Sequence, residues 1–425
     1  MNKCIIVFIY CLIVLPADLF AQSADSISKE RVEKIITYLA SDELKGRVNH
    51  TNEQLEAAEF ISKEFSSYGL EPFPGFPEYY HAFRTSNAKF TGAVDVKWND
   101  KKMDGDSYFF FSRSLIIPSL ELGDFFIYKV YPQLADSILY LNWKRADNIL
   151  LQVMIDDSSS LSEAISNIKI PQGKPASNIL IVGTKEETRS LHVSPNKNFF
   201  NSVLYNVIGM IPGRSLPDEV IIFSAHYDHV DRGLNGESGE IYNGANDDAS
   251  GTTAVLELAN YFSKRNDNER TIVFCLFAGE ELGLLGSKAF VNFIKPENVK
   301  AVINIEMIGV TNIEGKNGLM VTGSGYSNLY KILKQNLQGD EVKIIPQRSD
   351  PNNFFERSDN YSFAKEGIPA HTLTSSDDDE PCYHRPCDDV DRIDMDNMTR
   401  FIKAIARSAS TLISGKDTPT RIKGL

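Results

Sequence analysis

From Asn206 onward the chain alternates short apolar runs with amphipathic segments, and this alternation restricts the fold more than any other property of the sequence. The runs Val220–Ala225, Thr271–Ala278, Val299–Met307 and Ile368–Leu373 are rich in Val, Ile and Phe. They read as strands buried on both faces. Between them Val255, Leu258, Ala259 and Phe262 recur at helical spacing, as do Leu329, Ile332, Leu333 and Leu337. A last helix carries Met398, Phe401, Ile402, Ile405, Ala409 and Leu412 and stops at Gly415. Strands that alternate with helices imply an α/β sheet covered on both sides.

The first two hundred residues read differently. Val32, Ile35, Ile36 and Leu39 mark one helix, and Thr51-Asn52-Glu53-Gln54 has the form of a capping box. Leu55, Ala58, Ile61, Phe65 and Tyr68 then line one helical face, and Gly69 ends it. The Pro-rich stretch Glu71–Pro77 predicts a connecting loop. Residues 85–200 change to short aromatic and β-branched runs, such as Tyr108–Phe111, Phe125–Val130 and Ile149–Ile155, and predict a mainly β insertion. At the N-terminus Met1-Asn2-Lys3 precedes the apolar run Cys4–Leu15, which is too short to span a bilayer and reads as a secretory signal ending near Ala21. The expected organisation is thus a signal over 1–21, a main domain formed by 22–84 and 201–425, and an inserted subdomain over 85–200.

With 44 basic and 57 acidic side chains the chain carries a formal charge of −13. That excess argues against wrapping nucleic acid or docking on anionic lipid. It is unchanged by loss of 1–21, because Lys3 and Asp18 leave together. Two of the five cysteines, Cys4 and Cys11, belong to the signal. Cys275 sits in an apolar run and reads as a small buried hydrophobe. Cys382 and Cys387 frame Cys-Tyr-His-Arg-Pro-Cys, which fits either a local disulfide of an exported protein or two free thiols.

Side chains with chemistry collect where the buried strands run out, which is where α/β sheets place their sites. Val220–Ala225 delivers His226-Tyr227-Asp228-His229, Thr271–Ala278 delivers Gly279-Glu280-Glu281, and Val299–Ile305 delivers Glu306. Asn243–Gly251 supplies Asp247-Asp248 between the first two strands, and Tyr383-His384 follows the last. Carboxylates and imidazoles at successive strand ends fit a hydrolytic metal centre. Two Zn²⁺ would be balanced by Asp247, Glu281, Glu306 and a bridging hydroxide, with His226 and His384 binding as neutral imidazoles. Without metal, three carboxylates so placed would raise one another's pKa.

The segments His226-Tyr-Asp-His, Asn243–Thr252, Phe277–Ser287, Asn304–Gly309, Arg357–Phe363 and Tyr383–Asp391 closely resemble the co-catalytic di-zinc exopeptidases. That family includes bacterial leucyl aminopeptidases, aminopeptidase Y and glutamate carboxypeptidase. The resemblance is strong over about 200–415, moderate over 30–85, and only faint between 85–200 and the protease-associated domain that relatives insert there. It implies a mixed, mostly parallel sheet flanked by helices, and two Zn²⁺ bridged by Asp247. His226 and Glu306 would complete one site, Glu281 and His384 the other. Glu280 would be the general base, taking a proton from metal-bound water and passing it to the leaving amine. Asp228 would receive the second ring N–H of His226, Tyr383 would bond the tetrahedral oxyanion, and the Asp247–Asp248 peptide would be cis. Glu306 stands where the family usually has Asp, and Asn360 where His is common. His229 reads as a packing or supporting histidine. His50, His81, His192 and His371 match no motif.

The resulting expectation is an exported, periplasmic or extracellular zinc aminopeptidase acting on peptides. Other classes on the same residues are a carboxypeptidase, a single-zinc glutaminyl cyclase and a binding module without catalysis. Cyclases tend to replace the second acid of the Asp-Asp pair, whereas Asp248 is retained here, and a dead module would have lost ligands that all survive.

Overall fold

A computed structural model describes residues 27–84, 94–103, 107–112, 119–135, 148–155, 178–195, 203–230, 240–313, 315–347 and 353–425, with Ser137, Leu139 and Leu161. The expected leader, 1–21, lies outside the described residues.

Ser28 Oγ accepts from Arg31 N and starts helix α1 (Lys29–Leu39), whose buried face is Val32, Ile35, Ile36 and Leu39, as the spacing predicts. Thr51 Oγ1 accepts from Gln54 N and caps α2 (Asn52–Ser67), and Gly69 follows it in the left-handed region. The second arm of the capping box differs from expectation. Gln54 Oε1 accepts from the N–H of His50, and its Nε2 donates to Asn49 Oδ1 at 2.7 Å, so the side chain ties down the preceding turn instead of the cap.

The main sheet comprises β1 (Glu71–Pro72), β2 (Tyr80–Arg84), β3 (Val203–Ile211), β4 (Leu216–His226), β5 (Arg270–Phe277), β6 (Val299–Ile305), β7 (Gly318–Val321), β8 (Lys343–Pro346) and β9 (Ala370–Thr374). Its order is β1-β3-β5-β4-β6-β9-β7-β8, with β2 also on β3. The four central strands β5, β4, β6 and β9 are parallel, while β3 and β7 join them antiparallel. The Pro-rich stretch is thus not all loop, since Glu71 and Pro72 pair with Met210 and Gly209 at the sheet edge.

Period-two alternation explains why the central strands are apolar throughout. On β4, Ile221, Phe223 and Ala225 pack with α1, α2, α3 (Ser250–Arg265) and α7 (Met395–Ser408), while Ile222 faces the opposite side. On β5, Ile272, Phe274 and Leu276 join the first core, and Val273, Cys275 and Phe277 the second. The second core lies against α4 (Leu285–Phe290) and α6 (Asn360–Ala364); α5 (Leu329–Asn336) packs on the first. Each such large side chain taken out of water contributes roughly 1.5–3 kcal/mol. The terminal helix breaks at Ala409 and resumes over Ser410–Ile413, so the single expected helix is two.

Among the described residues of 94–195, two further four-stranded sheets appear. One orders Lys101–Lys102, Val94–Trp98, Leu191–Pro195 and Leu120–Glu121; the other orders Tyr108–Ser112, Asn178–Gly183, Asn148–Val153 and Phe126–Val130. They share one core through Val94, Val96, Leu191 and Val193 from the first and Phe110, Leu150, Leu180 and Val182 from the second.

Candidate metal centre

Three adjacent parallel strands present their carboxyl ends to one cleft. His226 is the last residue of β4, Glu280 and Glu281 follow β5 after the left-handed Gly279, and Glu306 follows β6 directly. The turn into α3 brings Asp247 over them through a cis Asp247–Asp248 peptide, as the resemblance implies. Asp248 points away and accepts from Gly251 N at 2.9 Å and Met307 N at 3.0 Å, which ties the turn to the end of β6. A Cβ at Gly251 would collide with the Ile305 carbonyl, so this close crossing requires glycine.

Two donor sets result, and they share one carboxylate. His226, Asp247 and Glu306 form the first; Asp247, Glu281 and His384 form the second, together with His229. Asp247 Oδ1 lies 3.3 Å from His226 Nε2, and its Oδ2 lies 3.0 Å from His384 Nε2. One oxygen of the carboxylate therefore faces each set. His384 Nε2 is also 3.0 Å from Glu281 Oε1.

These atoms are short of ordinary partners. His226 Nε2, Glu281 Oε1, Glu306 Oε2 and His384 Nε2 are all buried without a hydrogen-bond partner among the described residues. Unpaired buried polar atoms cost about 1–3 kcal/mol each, so lone pairs left over on these four converging side chains fit cations better than they fit a dry core. Titration points the same way. Burial, with the Asp247 charge added and despite His226, raises Glu306 to about 7. Burial pushes Glu280 well up, helped by Glu306 and Glu281. His384 loses by burial but is raised overall to about 9 by Asp247 and Glu281. The imidazoles in turn hold Asp247 and Glu281 down against burial, so the cleft divides into raised and lowered carboxyls around raised imidazoles, a crowding of charge that divalent cations would relieve.

One role differs from expectation. The Asp228 carboxylate does not take the His226 N–H: His226 Nδ1 donates to the Asp228 main-chain oxygen at 3.1 Å, and the nearer carboxylate oxygen is 3.8 Å away. Instead the carboxylate accepts from Asn49 Nδ2 at 2.5 Å and from the N–H groups of Glu280 and Glu281 at 3.2 Å, so it holds the strand end that carries these two glutamates. Tyr383 lines the cleft, stacks on the His384 ring at 3.9 Å, and its hydroxyl lies 3.4 Å from Arg357 Nη2. Cys382 and Cys387 form a disulfide with Cα atoms 5.3 Å apart, closing a short loop around Tyr383 and His384. Cys275 is free and buried. Asn360 is structural, donating to Phe355 O and accepting from Thr372 Oγ1. His371 and His81 are buried away from the site, and His192 pairs with Glu121.

Two supports were not legible in sequence. Asp388 accepts from the N–H groups of Asn246 and Asp247 at 2.8 and 3.0 Å and so orients the shared carboxylate. Asn246 Oδ1 accepts from Gly309 N and Val310 N. The only cue was the acidic run after Cys387, which solvated tails share.

Residues 206–409 match peptidase family M28. Over this segment the chain is similar to that family. Aminopeptidase YwaD of Bacillus subtilis is 26% identical over 239 residues, covering 53% of this chain and 49% of that protein. The chain spans about half the length of the curated relatives it matches. The structure of BSAP, a zinc aminopeptidase from Bacillus subtilis, aligns with a TM-score of 0.54 at 17% identity, covering 91% of this chain and 95% of that one. A Bacteroides thetaiotaomicron glutaminyl cyclase aligns with a TM-score of 0.51 at 13% identity, covering 93% and 100%. At such identities both show the fold alone, the mostly parallel, helix-flanked sheet.

Proposed function

We propose that this chain is an exported zinc-dependent aminopeptidase that removes N-terminal residues from peptides. The observation that carries the reading is Asp247, whose two oxygens face separate donor sets while Glu280, a member of neither, stands in the wall of the same cleft. His226, Asp247 and Glu306 would hold one zinc and Asp247, Glu281 and His384 the other. When bound, zinc supplies Lewis-acid polarisation of a carbonyl and lowers the pKa of water toward about 7. Glu280 takes up a proton at its carboxylate and returns it to the departing amine, a role that suits a carboxyl already pushed up by burial among Glu306 and Glu281. Tyr383, fixed by its stack on His384, offers its hydroxyl to a developing oxyanion.

The cleft has a volume of 430 Å³, room for a small part of a peptide. Its charge favours a free amino terminus over a carboxylate. Glu356 and Asp378 add to the acids of the centre, whereas Arg357 is engaged by Asp378 at 2.7 Å and Lys288 Nζ donates to Gly283 O. Export is supported by the apolar run Cys4–Leu15 and by the Cys382–Cys387 disulfide, which an oxidising compartment preserves. No helix among the described residues is long and apolar enough to cross a membrane. Residues 85–200 are read as an insertion, because the strands described there form sheets and a core of their own.

The test pairs aminoacyl anilides with their N-acetylated forms. Cleavage of the free amines alone supports the reading; cleavage of the blocked ones, or release of C-terminal residues, refutes the polarity. Glu280→Ala should abolish turnover and retain the metal content of the parent.

A further inference from the structure

His229 has no place in the ligand set that the resemblance implies, yet the fold directs it into the centre. Its ring is fully buried, and both ring nitrogens lack a hydrogen-bond partner among the described residues. Nδ1 lies 3.2 Å from Glu281 Oε1 and 3.8 Å from Asp247 Oδ2, and the ring meets that of His384 edge-on at 5.6 Å. A buried imidazole whose Nε2 has no partner, and whose Nδ1 meets only two carboxylates of the centre, is costly, and simple packing does not account for it.

The placement is built from two directions. Residue 229 pairs with Val48 in an isolated parallel bridge, which fixes the backbone beyond the end of β4. Gly244 lies against the ring, in the left-handed region, and a Cβ there would come within 2.6 Å of His229 Cγ. Space for this imidazole exists only because residue 244 has no side chain.

We propose that His229, through Nδ1, is a fourth protein donor to the cation held by Asp247, Glu281 and His384. The inference rests on the metal-centre reading above. It makes the two sites unequal. Four protein donors match the closed tetrahedral set of a tightly held zinc, whereas His226, Asp247 and Glu306 leave a position open. The tighter cation would then anchor the shared carboxylate, and the looser one would stand at the open position.

The experiment is metal titration of the full-length mature protein after chelator dialysis, with zinc content by mass spectrometry and visible absorption of the Co²⁺-loaded form. The parent should bind two ions, the tighter with the intense visible band of a four-coordinate site. His229→Ala and His229→Gln should weaken that ion at least by the roughly 100-fold that loss of a supporting residue can cost, and lose the band, with the other ion unchanged. Chelator-treated forms that unfold cooperatively near the parent exclude a folding defect. Should only one of the pair fold, it alone decides the matter. Equal affinities and an unaltered band in the variants overturn the proposal. A parent that binds no metal at all refutes the earlier reading instead.

Discussion

Arg47 allows a stability prediction to be worked through from geometry. It is fully buried and comes from the N-terminal segment, outside the stretch that matches the family. Its Nε donates to Tyr227 O at 2.8 Å, Nη1 to Leu39 O at 2.6 Å and Asn243 O at 2.7 Å, and Nη2 to Gly244 O at 3.0 Å. Two of these carbonyls belong to the turn that leads into Asp247, and a third lies between His226 and Asp228. Burial lowers the guanidinium to about 10, against the pull of Asp388, Asp247, Asp248 and Asp228, so it stays charged at neutral pH. Arg47→Met keeps the aliphatic stem and deletes every donor. Four carbonyls left at about 1 kcal/mol each, the low end for an unsatisfied group, sum to about 4 kcal/mol. Arg47→Lys can reach only part of the fork and should recover about half. Denaturant unfolding in chelator reads this as a shift in midpoint at constant slope. A Met variant within about 1 kcal/mol of the parent, or a Lys variant with full stability, would refute the reasoning.

Two further outcomes follow from other parts of the fold. His371 donates from Nδ1 to Thr322 O at 2.8 Å and accepts at Nε2 from Ser327 Oγ, so it is buried neutral, and burial lowers it to about 4. Because the unfolded imidazole titrates near 6.5, its contribution is present in full above that pH and is lost as pH falls toward 4. The loss is about 3 kcal/mol; unfolding curves of the parent and His371→Gln that run parallel over this interval would count against it. The Cys382–Cys387 loop is short, so replacing both cysteines by serine should cost roughly 2 kcal/mol, and reductant should bring the parent's unfolding midpoint down to that of the variant. A midpoint indifferent to reductant would show that the bond adds nothing to stability.

What the chain determined by itself is local in physical origin. The strands β4, β5, β6 and β9 and the helices α1, α2 and α3 were legible because apolar spacing of two or of three and four is set by near neighbours, whatever lies across the sheet. The identities of the donors were legible too, since His226, Glu281 and Glu306 each follow a buried run and strand ends open toward a site. Long-range pairing was not. That Asp228 would grip the Glu280 and Glu281 amides and not His226, that Asp388 would hold Asn246 and Asp247 in place, and that Gly244 would make room for His229 all depend on the sheet order β5-β4-β6-β9 and the path of the turns above it. Arg47 shows the limit most clearly. Nothing in the local sequence singles it out, and only the tertiary structure, by enclosing it with four carbonyl oxygens from positions 8 to 197 residues away, makes it a clamp on the turn that carries Asp247.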